Sequence, residues 1–144
     1  NILLDDDGSI IHIDFGFLLN HSPGNVNFEK VPFKLTMEYI DLLDGLNSKR
    51  FAQFKDLFFK GFQVLRDNYH LILSFVEVYI LTNGDLPCFN DKDTVVDNMR
   101  NKFVLHITNM DELREHTDNI IETSLNNWRT KLYDGFQNYC VGLN

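Results

Sequence analysis

Asp14-Phe15-Gly16 is the stretch whose residue types could most directly do chemistry. A carboxylate at the end of an extended run, followed by a bulky apolar anchor and a flexible glycine, projects into a cleft and coordinates a hard cation while the chain turns away. Magnesium on nucleotide phosphates takes one or two such protein oxygens and keeps water for the rest. Thirteen positions earlier, Asn1 offers an amide oxygen at the entry to the preceding extended run. A hairpin between the two runs folds that oxygen back toward the Asp14 carboxylate, giving two hard ligands for one ion. Spacing alone leaves a second reading equally open, in which Asp14 caps a turn and Asn1 is a frayed end. His12 reads as a packed strand histidine rather than a base.

The elements that position these residues are short. Ile2-Leu3-Leu4 and the run from Ser9 to Phe15, where Ile11 and Ile13 alternate with His12 and Asp14, flank the turn signal Asp5-Asp6-Asp7-Gly8 and predict a β-hairpin. Gly16 to Val31 has no helical period and holds Pro23 and Gly24, so it reads as a long loop of the kind that carries function. After Pro32 the pattern turns helical. Thr36 is the predicted cap of a helix bearing Tyr39, Ile40, Leu42 and Leu43 that stops at Gly45, and Ser48 opens a second with Phe51, Phe54, Phe58, Phe62 and Leu65 on its core-facing stripe. Leu71 to Leu81 is apolar on most sides and predicts a central buried helix, ended by Asn83-Gly84-Asp85 and Pro87. Thr94 with Asp97 starts a short helix through Arg100, Thr108 with Asp111 and Glu112 starts one to about Leu125, and Asn127 to about Cys140 forms the last. The expected fold is mainly α with a small β-hairpin.

Composition sets the outer limits. With 144 residues, 44% of them hydrophobic and 13 of them Phe, the chain is one compact domain or a piece of a larger one, and is too apolar for general disorder. A formal charge of −8 removes long-range attraction to a nucleic-acid backbone, so no nucleic-acid partner is expected and any phosphate chemistry is local. No apolar run approaches the roughly 20 residues of a membrane span, and the first residues lack the basic start of a secretion signal. Cys88 and Cys140 form no motif and read as free core thiols. Asp5 to Asp7 and Asp91 to Asp93 read as solvated turns without the alternating ligands of a calcium loop. The chain opens on Asn and enters at once on a strand-like run, which reads as a start inside a domain.

Asn1-Ile2-Leu3-Leu4, then Ile11-His12-Ile13-Asp14-Phe15-Gly16-Phe17, then Pro32-Phe33-Lys34-Leu35-Thr36, resemble the end of the catalytic loop, the metal-binding motif and the close of the activation loop in phosphoinositide kinases. Leu86-Pro87-Cys88-Phe89 and the run from Thr130 to Gln137 resemble the type III beta phosphatidylinositol 4-kinases in particular. The resemblance implies the C-lobe portion of a protein-kinase-like, lipid-kinase α+β fold. It divides the chain into a metal-binding hairpin (1–16), an activation loop (17–33) and a helical C-lobe (34–144). ATP and Mg2+ or Mn2+ are the implied cofactors, and phosphatidylinositol in a membrane is the implied substrate, phosphorylated at its 4-hydroxyl.

Residue by residue, the resemblance makes Asn1 and Asp14 the metal ligands, with Asp14 catalytic through the ion, and puts Leu3 and Ile13 beside the adenine. The loop from Phe15 and Gly16 onward, with His21, Lys30 and Lys34, reads the headgroup. So few cations suit a lipid with no ring phosphate, because each added phosphate must be paired when it leaves water; solvated loop lysines are the equal alternative. Trp128, Leu132, Phe136 and Tyr139 line one side of the last helix with Arg129 and Lys131 beside them, a pattern that suits the headgroup level of a bilayer, with an ordinary packed helix burying Trp128 against the body as the alternative. The family's catalytic base, phosphate loop and hinge lie before the position of Asn1, so the chain alone is expected to transfer no phosphate. Peripheral attachment to cytosolic membrane faces, of Golgi type among others, follows as an expectation. Two other readings remain: a phosphoinositide 3-kinase or TOR-like kinase, and a noncatalytic helical module that binds membrane or a partner.

Overall fold

The computed structural model describes residues 2–13, 19, 31–86, 89, 92–125, 127, 128, 131, 135 and 139, with only the backbone of Lys92 and Asp93. The chain begins with the expected hairpin. Strand β1 (Ile2–Leu4) pairs antiparallel with β2 (Ile10–His12) in the register Ile2 to His12, Leu3 to Ile11 and Leu4 to Ile10. Gly8 closes the turn at φ 82°, donating to the Asp5 carbonyl at 2.9 Å, a conformation that glycine adopts without a Cβ clash.

Five helices follow among the described residues: α1 (Met37–Leu42), α2 (Lys49–Asp67), α3 (Tyr69–Asn83), α4 (Lys92–Lys102) and α5 (Met110–Ser124). Helix α1 stops in a Schellman arrangement. Gly45 N–H reaches the Ile40 carbonyl at 2.9 Å, and Asp44 N–H reaches that of Asp41 at 3.0 Å. Asp44, at φ 65°, takes the left-handed position ahead of Gly45. Ser48 caps α2 by accepting from Phe51 N–H at 2.9 Å, and its hydroxyl donates back to the Leu43 carbonyl, which fixes the angle between the two helices.

The core lies in two clusters. Leu35, Ile40, Phe51 and Ile121 form the first, with Phe33, Leu43, Phe54, Phe58 and Leu125 around them. Ile80, Phe89 and Val95 form the second, flanked by Val76 and Val96. Accordingly α2 packs on α5 and α3 on α4. Polar contacts set the α2–α5 register: Lys55 meets Asp118 at 3.0 Å, Arg114 meets Asp56 at 2.9 Å, and the same guanidinium lies 4.2 Å from the Phe59 ring centre. Arg66 donates to the carbonyls of Leu105 and Ile107, fastening the α4–α5 connection to α2.

Several expectations are corrected. The Leu71–Leu81 stretch is helical but not central: only Leu73 and Ile80 are buried, while Phe75 is 67% and Leu81 84% exposed. Only the positions that meet α2 and α4 are covered. Phe59 joins the buried positions of α2, whereas Leu65 at the end of the expected stripe is exposed. Helix α4 begins at Lys92, so Thr94 and Asp97 lie inside it, and Asp97 pairs with Arg100 at 2.7 Å. Helix α5 is capped by Asn109 rather than Thr108, its side chain accepting from Asp111 N–H at 2.7 Å. Thr36 occupies the cap position of α1 without bonding a backbone N–H of that helix. His12 is exposed rather than packed.

Ile121 touches the centre of the first cluster, so Ile121→Ala should destabilise the fold by about 2–5 kcal/mol, whereas Leu57→Ala, at an exposed position, should cost little; urea unfolding measures both. His116 packs at 5.9 Å from the Phe62 ring, and burial, then repulsion from His106, push its pKa below the ordinary 6.5. The unfolded chain therefore takes up this proton first, and stability falls as the pH drops through that value. His116→Asn should flatten the decline in melting temperature between about pH 7 and 5.

Candidate functional site

Side chains alternate along a strand, so the hairpin register puts Leu3, Ile11 and Ile13 on one face and Ile2, Leu4, Ile10 and His12 on the other. Leu3 and Ile13, the two positions assigned to an adenine, thus share a face, and both are partly open to solvent. Ile2 pairs with His12, so Ile2 and Ile13 stand at the same open end of the hairpin. The proposed metal ligands Asn1 and Asp14 lie outside the described residues, as do Phe15, Gly16, His21 and Lys30. Among the described residues no group of three or more His, Cys, Asp or Glu side chains could hold a metal ion.

The chain from Val31 onward is anchored firmly. Phe33 N–H donates to Ser124 Oγ at 3.4 Å, the Phe33 and Phe58 rings stack at 5.3 Å, and buried Leu35 forms a parallel bridge with Leu125. Ser124, itself fully buried, donates to the Ile120 carbonyl at 2.8 Å. With Phe33 and Leu35 both turned into the body, the extended chain between them must turn Lys34 outward, and Lys34 is exposed.

Beyond Leu125, residues 128, 131, 135 and 139 are helical and exposed. Their spacing puts Trp128 and Lys131 on one face. Trp128 is 62% exposed and Tyr139 91%. Leu132 and Phe136 lie outside the described residues. No helix among the described residues is long and apolar enough to cross a membrane.

Glu38 lies in the first turn of α1. A hydrogen bond from the Thr36 side chain and one from its own backbone hold its carboxyl below the ordinary range against an opposing cost of burial, and the charges of Lys131 and Lys34 contribute least. Sequence reasoning missed Glu38 because an acid in a first helical turn is ordinary dipole chemistry. Only the fold brings Lys131 to it.

Residues 1–90 match the sequence profile described as phosphatidylinositol 3- and 4-kinase. The chain belongs to the phosphatidylinositol 3- and 4-kinase family. It is 42% identical over 144 residues to phosphatidylinositol 4-kinase PIK1a of Candida albicans, covering 99% of this chain and 15% of that relative. It is 40% identical over 147 residues to phosphatidylinositol 4-kinase beta 2 of Arabidopsis thaliana, and 38% over 143 to phosphatidylinositol 4-kinase beta of Xenopus tropicalis. Each alignment takes in 99% of this chain, with 13% and 17% of the respective relatives. The chain therefore spans less than a fifth of the length of these curated relatives.

Because the folded carboxyl of Glu38 is lowered, its contribution is complete above the ordinary value of 4.5 and is lost as the pH falls through the lower folded one. The melting-temperature difference between wild type and Glu38→Gln should therefore be present at neutral pH and close in acid. High salt should shrink it, since the group is exposed.

Proposed function

We propose that the chain is the C-terminal part of the C-lobe of a phosphatidylinositol 4-kinase, a peripheral enzyme on cytosolic membrane faces. The supporting observation is the reach of the similarity. The general family match ends at residue 90, while identity to proteins named 4-kinases runs over 99% of the chain, through α4, α5 and the terminal segment. That the identity to proteins named 4-kinases continues past residue 90 supports this reading over another class of lipid or protein kinase.

In the full enzyme, the 4-hydroxyl oxygen of phosphatidylinositol forms the new bond to the γ-phosphorus of ATP. The bond from that phosphorus to the β–γ bridging oxygen breaks, and the hydroxyl proton passes to a base that is not assigned to this chain. Asn1 and Asp14 would hold the divalent cation, and the shared open end of Ile2 and Ile13 supports their convergence. Bound there, the ion supplies charge neutralisation on the phosphates. The face of Leu3, Ile11 and Ile13 provides an apolar surface for the adenine. Lys34, held outward by its buried neighbours, offers an ammonium to the lipid phosphodiester together with Lys30. Trp128 and Lys131 meet the headgroup layer.

The test is a full-length kinase carrying this sequence, with its product resolved by ring position. Phosphatidylinositol 4-phosphate is expected, and a 3-phosphate product would sink the reading. Asp14→Asn should lower turnover by about two to three orders of magnitude. Lys34→Ala should raise the KM for lipid and leave that for ATP unchanged, whereas equal effects on both would remove Lys34 from the headgroup site. The 144-residue chain alone should show no turnover.

A further inference from the structure

We propose that Ser124 is a positioning residue for the lipid substrate: its buried hydroxyl fixes the backbone beside Lys34 and so sets the base from which that ammonium reaches. The proposal rests on the lipid-contact reading of Lys34 above and deepens it, because it names what holds the contact in place.

Burial alone does not account for Ser124. It is the last residue of α5 and fully buried, a site that ordinarily favours an apolar side chain. Its hydroxyl donates to the Ile120 carbonyl at 2.8 Å. That bond is local and holds nothing outside the helix. The oxygen keeps lone pairs to spare, and it accepts the Phe33 N–H at 3.4 Å across 91 positions of sequence. Solvent does not reach Ser124, so bulk water is no substitute for this acceptor once the hydroxyl is removed.

The bond works within a clamp built by both long helices. From α2, the Phe58 ring stacks on that of Phe33 at 5.3 Å, and at the end of α5 Leu125 bridges Leu35. Lys55 to Asp118 at 3.0 Å and Arg114 to Asp56 at 2.9 Å help hold the two helices in register. Pro32, just ahead, has no N–H to donate and a restricted φ, so the seating of this segment falls to Phe33 and Leu35. Lys34 stands between them, exposed, and its backbone shifts only when a neighbour leaves its seat.

A second buried residue of α5 separates this role from general stability. Leu113 is as deeply covered as Ile121 but lies outside the cluster that holds Leu35. It sits at the other end of the helix, about 16 Å from Ser124 along the axis. Trimming it weakens the fold without touching the clamp.

The experiment measures lipid and ATP kinetics of a full-length kinase carrying this sequence, with Ser124→Ala, Leu113→Val, Lys34→Ala and the double variant of Ser124→Ala with Lys34→Ala. Ser124→Ala should raise the KM for phosphatidylinositol roughly three- to tenfold, the equivalent of about one hydrogen bond, and leave that for ATP unchanged. Leu113→Val should lower the melting temperature and move neither KM. Once Lys34 is gone, Ser124→Ala should add nothing further to the lipid KM. An unchanged lipid KM in Ser124→Ala, an equal rise for ATP, an equal lipid effect of Leu113→Val, or a multiplicative double variant each overturns the positioning role and leaves the lipid contact of Lys34 standing. No effect of Lys34→Ala removes that contact and the role of Ser124 with it. Should the alanine variant fail to fold, Ser124→Cys, close in size and only a weak acceptor, should raise the lipid KM in the same direction, and no change there overturns the proposal.

Discussion

The joint between Leu35 and Leu125 is the contact on which the rest of the arrangement depends. A lone backbone bridge adds little by itself, since a hydrogen bond contributes roughly 1 kcal/mol net. Its rigidity comes from what surrounds it: Leu35, Ile40, Phe51 and Ile121 exclude water, and the buried Ser124 hydroxyl both donates along its own helix and accepts from Phe33. The chain that follows the long loop is thereby fixed to α5, and the helical residues after Leu125 emerge from the same point.

Local charge and global charge point in opposite directions in this molecule. The chain carries a formal charge of −8, yet the charges of two lysines from remote parts of the sequence both act to lower the Glu38 carboxyl. At an exposed site such attraction is screened within about 8 Å at physiological salt. It becomes stronger where a membrane removes water from one side.

Helix α3 shows how a hydrophobic pattern can mislead. Its residues are apolar on most sides, a pattern that ordinarily marks a fully buried helix. Two positions seven apart, Leu73 and Ile80, face inward, and Phe75, Val78 and Leu81 stay open. Periodicity reports which faces are fit for burial, while packing decides which faces meet a neighbour. Helix α2, with its Phe51, Phe54 and Phe58 stripe against α5, is the contrasting case, because a one-sided pattern leaves only one way to pack.

The sequence by itself determined the hairpin, the breaks between helices and the Ser48 cap, because each rests on chemistry spanning a few residues: a Gly-bearing turn, a side-chain cap, a period of two or of 3.6. The motifs that marked the family were legible for the same reason, as short runs in order. Helix starts slipped at α4, which begins ahead of Thr94, and at α5, where Asn109 takes the cap in place of the adjacent Thr108, since helix ends are the least sharply specified positions. What only the tertiary structure decided was which distant segments share a place. No local rule ties Leu35 to Leu125 or Phe33 to Ser124, since those pairings arise from burying two apolar surfaces against each other.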